Sequence, residues 1–82
     1  HQVLAAAADE LAMGSPAAPV LAAAGERLLR EGFAQVDYVE LRDAADLAPL
    51  ERVTDRPARL LAAAFLGSVR LIDNLPVTAA PR

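Results

Sequence analysis

The sequence predicts an α+β fold in which two N-terminal helices pack on a small three-stranded antiparallel sheet that ends in a β-hairpin. Two observations lead to this prediction. Apolar residues recur at helical spacing between Gln2 and Glu31, and this period is lost after Phe33, where β-branched and aromatic residues take over. A chain of 82 residues is long enough for one small domain, so we expect residues 1–82 to fold as a single unit.

The first predicted helix runs from Gln2 to Met13 and is amphipathic. Asp9 and Glu10 lie off its apolar stripe and are expected to face water. Gly14 can supply the left-handed residue that ends the helix. The apolar stripe consists of Val3, Leu4, Ala7, Ala8 and Leu11.

The second predicted helix runs from about Pro16 to Glu31, with Ser15 as its N-cap, and stops at Gly32. Pro19 is compatible with this helix because it lies in the first turn, where its missing N–H costs nothing. The two helices therefore meet at a tight corner. The residues predicted to be buried are Val20, Leu21, Ala24 and Leu28, and those predicted to face water are Glu26, Arg27, Arg30 and Glu31.

The segment from Phe33 to Asp43 predicts the first strand, because bulky and β-branched residues dominate it. Asp43, with Asp46 three positions later, has the pattern of an N-cap, which predicts a short helical turn that Pro49 interrupts. The polar stretch Glu51–Pro57 is expected to be a surface loop.

The run Arg59–Leu66 is ambiguous, because its leucines and alanines have high helix propensity. A strand is favoured since the run is short, apolar on every side and followed by Gly67-Ser68, a typical two-residue hairpin turn. The next strand is predicted from Val69 to Asn74, and Pro76–Arg82 is expected to be a frayed tail. The predicted hairpin pairs are Leu66 with Val69, Phe65 with Arg70, Ala64 with Leu71 and Ala63 with Ile72.

The predicted hairpin is apolar on both faces, and such a strand is usually covered on both sides. We therefore expect the helices to cover one face and a neighbouring domain or loop to cover the other.

Composition excludes several classes of function. The chain has no cysteine, so it can form neither disulfides nor thiolate metal sites. A net charge of −3 with scattered basic residues and few aromatics argues against nucleic-acid binding. No apolar run approaches the ~18 residues of a membrane span, and the N-terminus lacks a signal-peptide pattern. These features predict a soluble, cytoplasmic protein with no membrane partner.

Few residues are candidates for catalysis. His1, the only histidine, lies at a terminus and is expected to have no fixed partner. Neither Asp9 with Glu10 nor Asp37 with Glu40 is expected to form an acid–base pair, because neighbours in a helix or strand point apart. The hydroxyl residues have no histidine to activate them, and the glycines form no phosphate-binding loop. These residues are Ser15, Thr54 and Ser68, and Gly14, Gly25, Gly32 and Gly67.

Arg70 and Asp73 are the strongest candidates, because they interrupt an otherwise apolar strand. A structural role is favoured: Arg70 would pack its stem across Phe65 and pair with a carboxylate, while Asp73 and Asn74 would close the strand end by bonding to backbone. Contact with a substrate or with a larger domain is the alternative.

Two motifs resemble a known family. Val36-Asp37-Tyr38-Val39-Glu40-Leu41-Arg42-Asp43 and Leu66-Gly67-Ser68-Val69-Arg70-Leu71-Ile72-Asp73-Asn74-Leu75 closely resemble the C-terminal domain of pantothenate synthetase. The resemblance runs from about Ala22 to Val77, with the Ala-Arg-Leu-Leu-Ala-Ala-Ala-Phe run between the motifs. Members of that family join pantoate to β-alanine at the expense of ATP, through pantoyl adenylate.

The resemblance implies a role as a lid over an active site built elsewhere. The family's nucleotide-binding N-terminal domain has no counterpart in these 82 residues, so the chain alone is expected to be inactive. No residue is therefore assigned as catalytic, cofactor-binding or metal-binding. The resemblance further implies ATP and Mg²⁺ as cofactors of the full-length enzyme, the N-terminal catalytic domain as partner, and a homodimer.

A second hypothesis is a free-standing α+β interaction or regulatory module that binds a partner through the open face of its sheet. The encoding reading frame distinguishes the two hypotheses. An upstream extension with a His-Ile-Gly-His-like motif favours the ligase, and a start codon near position 1 favours the module.

Overall fold

The computed structural model describes residues 1–81, and two helices precede three strands in its chain order. The α+β architecture predicted from the sequence is confirmed. The strands form one antiparallel sheet in the order β1-β2-β3, so β2 is central. The elements are α1 (Gln2–Ala12), α2 (Ala17–Arg30), β1 (Gln35–Asp43), β2 (Ala58–Leu66) and β3 (Val69–Val77).

The helix ends follow the predicted glycines, but one predicted cap is wrong. Gly14 and Gly32 have φ angles of 91° and 109°, as a left-handed helix end requires. Ser15 does not cap α2, because Pro16 occupies the N-cap position with no side-chain bond. A tertiary contact replaces that cap: the Ala17 N–H donates to the Glu51 carbonyl at 2.8 Å.

The β2–β3 hairpin is confirmed, and the helical alternative for Arg59–Leu66 is wrong. Gly67 opens the turn with φ 62°, which fits a glycine at the first central position. The register agrees with all four predicted pairs: Leu66 with Val69, Phe65 with Arg70, Ala64 with Leu71 and Ala63 with Ile72.

The predicted C-terminal tail is wrong at its start, because β3 continues to Val77. β3 is an edge strand, which tolerates Pro76 since amides on its open side need no ladder partner. Val77 is buried, and the Ala80 N–H donates to the Ala12 carbonyl at 2.8 Å. The last residue of the predicted tail, Arg82, lies outside the described residues.

The segment after β1 forms a turn and then folds back along that strand. The Leu47 N–H donates to the Asp43 carbonyl at 2.9 Å, which closes the single turn that the sequence predicts. The turn does not lengthen into a helix, because the Leu50 N–H then donates to Leu41 and Pro49 bridges to Arg42.

The core lies between the two helices and one face of the sheet. α2 contacts β1 and α1 contacts β3. On β2, alternate residues are buried toward the helices, and three of the four are alanines, which leave room for the helices to approach closely. No helix among residues 1–81 is long and apolar enough to cross a membrane. The β2 residues on this side are Ala58, Leu60, Ala62 and Ala64.

Candidate functional site

No helix of residues 1–81 packs on the second face of the sheet, which we call the outer face. It has an apolar centre and a border of charged and amide side chains. Period-two alternation and the register assign these side chains to it: Tyr38, Glu40, Arg42, Arg59, Leu61, Ala63, Phe65, Arg70, Ile72 and Asn74.

Arg70 lies on this outer face and is paired with a carboxylate, as the sequence predicts. Its Nε donates to Asp37 Oδ2 at 3.0 Å. β1 and β3 flank β2, so the Arg70 side chain must pass over β2 close to its cross-strand partner Phe65 to reach Asp37. A β-bulge between Val36 and Tyr38 places Asp37 for this contact. The Arg70 side chain is 44% exposed, so the pair is largely solvated.

Asp73 points to the opposite side of the sheet, because its partner Ala62 faces the helices. Its Oδ1 accepts from the Asn74 N–H at 2.8 Å, which confirms the predicted backbone bond. The predicted closing of the strand end is wrong, since β3 continues to Val77. Arg70 and Asp73 therefore do not form one site.

Three further candidates, Asp37, Glu40 and His1, also have structural partners. Glu40 accepts from Arg42 Nε at 2.7 Å while Asp37 accepts from Arg70 Nε at 3.0 Å, so each carboxylate has its own arginine partner. The prediction for His1 is wrong: its Nδ1 accepts from the Val3 N–H at 3.1 Å, which caps α1, and its ring packs edge-on against Phe33.

The most organised polar cluster, around Asp43, was not predicted as a cluster. Asp43 is buried, and its Oδ1 accepts from the N–H groups of Ala45 and Asp46 at 2.8 and 3.3 Å. Arg56 Nε lies 3.2 Å from its second oxygen. Asp43 faces Ala58 across the sheet, so Arg56, two residues before Ala58, emerges beside it. Asp43 thus fixes both ends of the 44–57 loop.

Within residues 1–81 no three histidine or acidic residues cluster closely enough to hold a metal ion. Arg42, Arg56 and Arg70 each face a carboxylate, and Arg59 donates to Asn74 Oδ1 at 2.7 Å. Each of these four guanidinium groups therefore has a partner within the described residues.

Comparison with known proteins assigns the family. The family model for pantoate-beta-alanine ligase matches residues 1–76. The chain is 57% identical over 76 residues to the pantothenate synthetase of Chelativorans sp. (strain BNC1), covering 93% of this chain and 26% of that protein. It is 52% identical over 80 residues to the pantothenate synthetase of Rhizorhabdus wittichii (strain DSM 6014), covering 98% of this chain and 28% of that protein.

The chain thus spans about a quarter of the length of the curated relatives that it matches. The family model, in contrast, matches nearly the whole of this chain. The chain therefore belongs to the pantoate–β-alanine ligase family.

Proposed function

We propose that this chain is the C-terminal lid domain of a pantoate–β-alanine ligase. Such an enzyme condenses pantoate with β-alanine to give pantothenate, AMP and pyrophosphate, through pantoyl adenylate. The observation that carries the proposal is the match of residues 1–76 to the family over only about a quarter of a relative's length. Two helices packed on a three-stranded sheet form a unit of a size that suits one domain of a larger enzyme.

The proposal divides the work between two parts of the enzyme. Adenylation needs cations and hydrogen-bond donors preorganised around the reacting phosphates. Arg42, Arg56 and Arg70 already face carboxylates, and Arg59 faces the Asn74 amide. Arg52 donates to the Gly14 carbonyl at 2.6 Å, so these arginines are poorly placed for that task. ATP and Mg²⁺ binding therefore belong to the larger N-terminal catalytic domain, and the 82-residue chain alone makes no pantothenate.

A lid contributes by excluding water. An acyl adenylate hydrolyses readily, and a domain that closes over it keeps water out and keeps the amine of β-alanine in place. The domain suits this role because its core is continuous and the β2–β3 hairpin is paired along its whole length, so it can move as a rigid body. In this proposal the full-length enzyme is a cytoplasmic homodimer, as the family resemblance implies.

The test compares the full-length ligase that carries this domain with a variant from which residues 1–82 are deleted. Both are given ATP, Mg²⁺, pantoate and β-alanine, and AMP and pantothenate are measured together. The full-length enzyme should release the two products in equal amounts. The deleted variant should release AMP in excess of pantothenate, because unprotected adenylate hydrolyses. Equal products at an unchanged rate from the deleted variant would refute the lid role.

A further inference from the structure

An apolar groove opens between the helices and the sheet at the hairpin end of the domain. The groove has a volume of about 120 Å³. Leu4, Leu28 and Phe33 line its helix side, and Leu71 forms the sheet side. Its floor is formed by Ala62 and Ala64, and its rim by His1, Ile72 and Asp73. We call this the hairpin groove.

The hairpin extends beyond the helices and leaves an apolar overhang next to this groove. Leu66, Val69 and Leu71 face the same side of the sheet as the buried alanines of β2. They are nevertheless 49%, 58% and 44% exposed, because α1 begins and α2 ends before the tip of the hairpin. Single exposed apolar residues are ordinary, but three that continue an apolar groove are typical of an interaction surface.

We propose that the hairpin groove and its overhang dock the domain onto the rest of its own ligase chain, which inserts an apolar side chain between Phe33 and Leu71. This inference rests on the proposed function. An apolar cavity of ~150 Å³ can hold benzene, so a groove of about 120 Å³ accommodates one aliphatic side chain or part of an aromatic ring.

The position of α1 identifies the rest of the chain as the occupant. The His1 ring centroid lies 5.6 Å from that of Phe33, and the His1 amino group lies 3.5 Å from Asp73. α1 therefore starts at the rim of the groove. About three quarters of each curated relative lies outside the matched part. In a full-length ligase, the residues that lead into α1 pass this rim, and their high effective concentration favours the contact over a separate protein.

Asp73 adds a polar element to the same surface. Its Oδ1 accepts from the Asn74 N–H, and among residues 1–81 its Oδ2 faces the His1 amino group alone, at 3.5 Å. In a longer chain that amino group is a peptide N–H, so Oδ2 becomes available to a donor from the docked segment. The docked segment would therefore place an apolar side chain in the groove and a hydrogen-bond donor on Asp73.

Photo-crosslinking in the full-length ligase tests the proposal. The photoreactive residue p-benzoylphenylalanine replaces Leu71 in the groove, Asn74 on the outer face, or Met13 at the far end of α1. Asn74 is exposed and Met13 is more exposed than Leu71, so exposure alone would not favour crosslinks from position 71. We expect Leu71→p-benzoylphenylalanine to crosslink within one chain to residues outside this domain, at several times the yield of either control.

The other outcomes overturn the proposal. Crosslinks mainly from position 74 would place the contact on the outer face, and crosslinks from position 71 to a second copy would make the groove an intermolecular interface. Equal yields at all three positions, or none at position 71, would show that the groove is not occupied.

Hydrogen exchange supplies an independent measurement. In the full-length enzyme, Leu71→Asp should raise amide exchange in the segment that leads into α1 by about tenfold, while Met13→Asp should not. Unchanged exchange in the Leu71→Asp enzyme, with its circular dichroism intact, would also overturn the proposal. The product ratio of the enzyme lacking residues 1–82 is a separate result, so the lid role can stand if the docking surface fails.

Discussion

The two faces of β2 have similar sequences and different surroundings. Toward the helices, Leu60 is 1% exposed and lies in the continuous core. On the outer face, its neighbour Leu61 is only half-buried, with no helix above it. Both faces of the strand are apolar, so the amino-acid type alone does not tell which one the chain itself covers.

Ala63 shows how the outer face is covered without a helix. It is fully buried, although it belongs to the uncovered side of the sheet and lies outside the core cluster. Its cross-strand partners are Tyr38 and Ile72, whose larger side chains flank it. One strand can therefore bury residues in two ways. The helices cover one face, whereas neighbouring side chains cover Ala63 on the outer face, which stays open to a partner.

The largest expected effect separates the two faces directly. Leu60→Ala removes a side chain from the centre of the core, and such changes cost about 2–5 kcal/mol. Leu61→Ala should cost about 1 kcal/mol, because part of the side chain is already in contact with water. Urea unfolding of the chain measures both. Equal losses would mean that the outer face is packed as tightly as the core.

The second prediction concerns Asp43, which holds the loop between β1 and β2. Asp43→Ala leaves two N–H groups without their acceptor and should lower the free energy of unfolding by about 1–3 kcal/mol. Arg56→Ala should cost less than about 1 kcal/mol, because the Arg56 side chain is 60% exposed and water screens the ion pair. If Arg56→Ala lowered the free energy of unfolding more than Asp43→Ala did, the bonds from Asp43 to the backbone N–H groups would not be the main stabilising contacts of the loop.

The third prediction concerns the turn that fixes which residues reach the outer face. Gly67→Val places a β-branched residue at positive φ and should cost about 1–3 kcal/mol. Gly25→Ala is the matched control, because Gly25 lies inside α2 with open space around its missing Cβ. It should stabilise the chain by about 0.5–1 kcal/mol. The melting temperature should therefore fall in Gly67→Val and rise in Gly25→Ala. A rise in both variants would contradict the positive φ at Gly67.

The smallest expected effect is at Arg70. Its pair with Asp37 is solvated, so Arg70→Ala should cost less than about 1 kcal/mol. In the full-length ligase the same change should leave kcat within a few-fold. A collapse of turnover with unchanged melting temperature would instead show that Arg70 contacts the substrate or the catalytic domain.

Much of the fold is predictable from local sequence signals. Helical spacing gives α1 and α2, and the Gly67-Ser68 turn fixes the register of every pair in the hairpin. The errors lie where a distant contact overrides a local signal. Ser15 is not a cap because Glu51 supplies the acceptor for α2, and Pro76 continues a strand because that strand lies at an edge.

The surfaces are less predictable than the fold. Nothing local in the sequence joins Asp43 to Arg56 or Asp37 to Arg70, since each pair forms only after the strands align. One signal was available: residues that flank the facing ends of two paired strands must lie close together. The hairpin groove exists because α1 and α2 cover only part of the sheet. The spacing of apolar residues within one helix does not predict how far that helix reaches along a sheet.

The activity of the 82-residue chain itself shows whether the adenylation chemistry lies outside this domain. The purified chain is supplied with ATP, Mg²⁺, pantoate and β-alanine, and the full-length ligase serves as the positive control. We predict pantothenate from the full-length enzyme and none above a blank from the 82-residue chain. Turnover by the 82-residue chain would contradict the account, because it would place the adenylation chemistry within these residues.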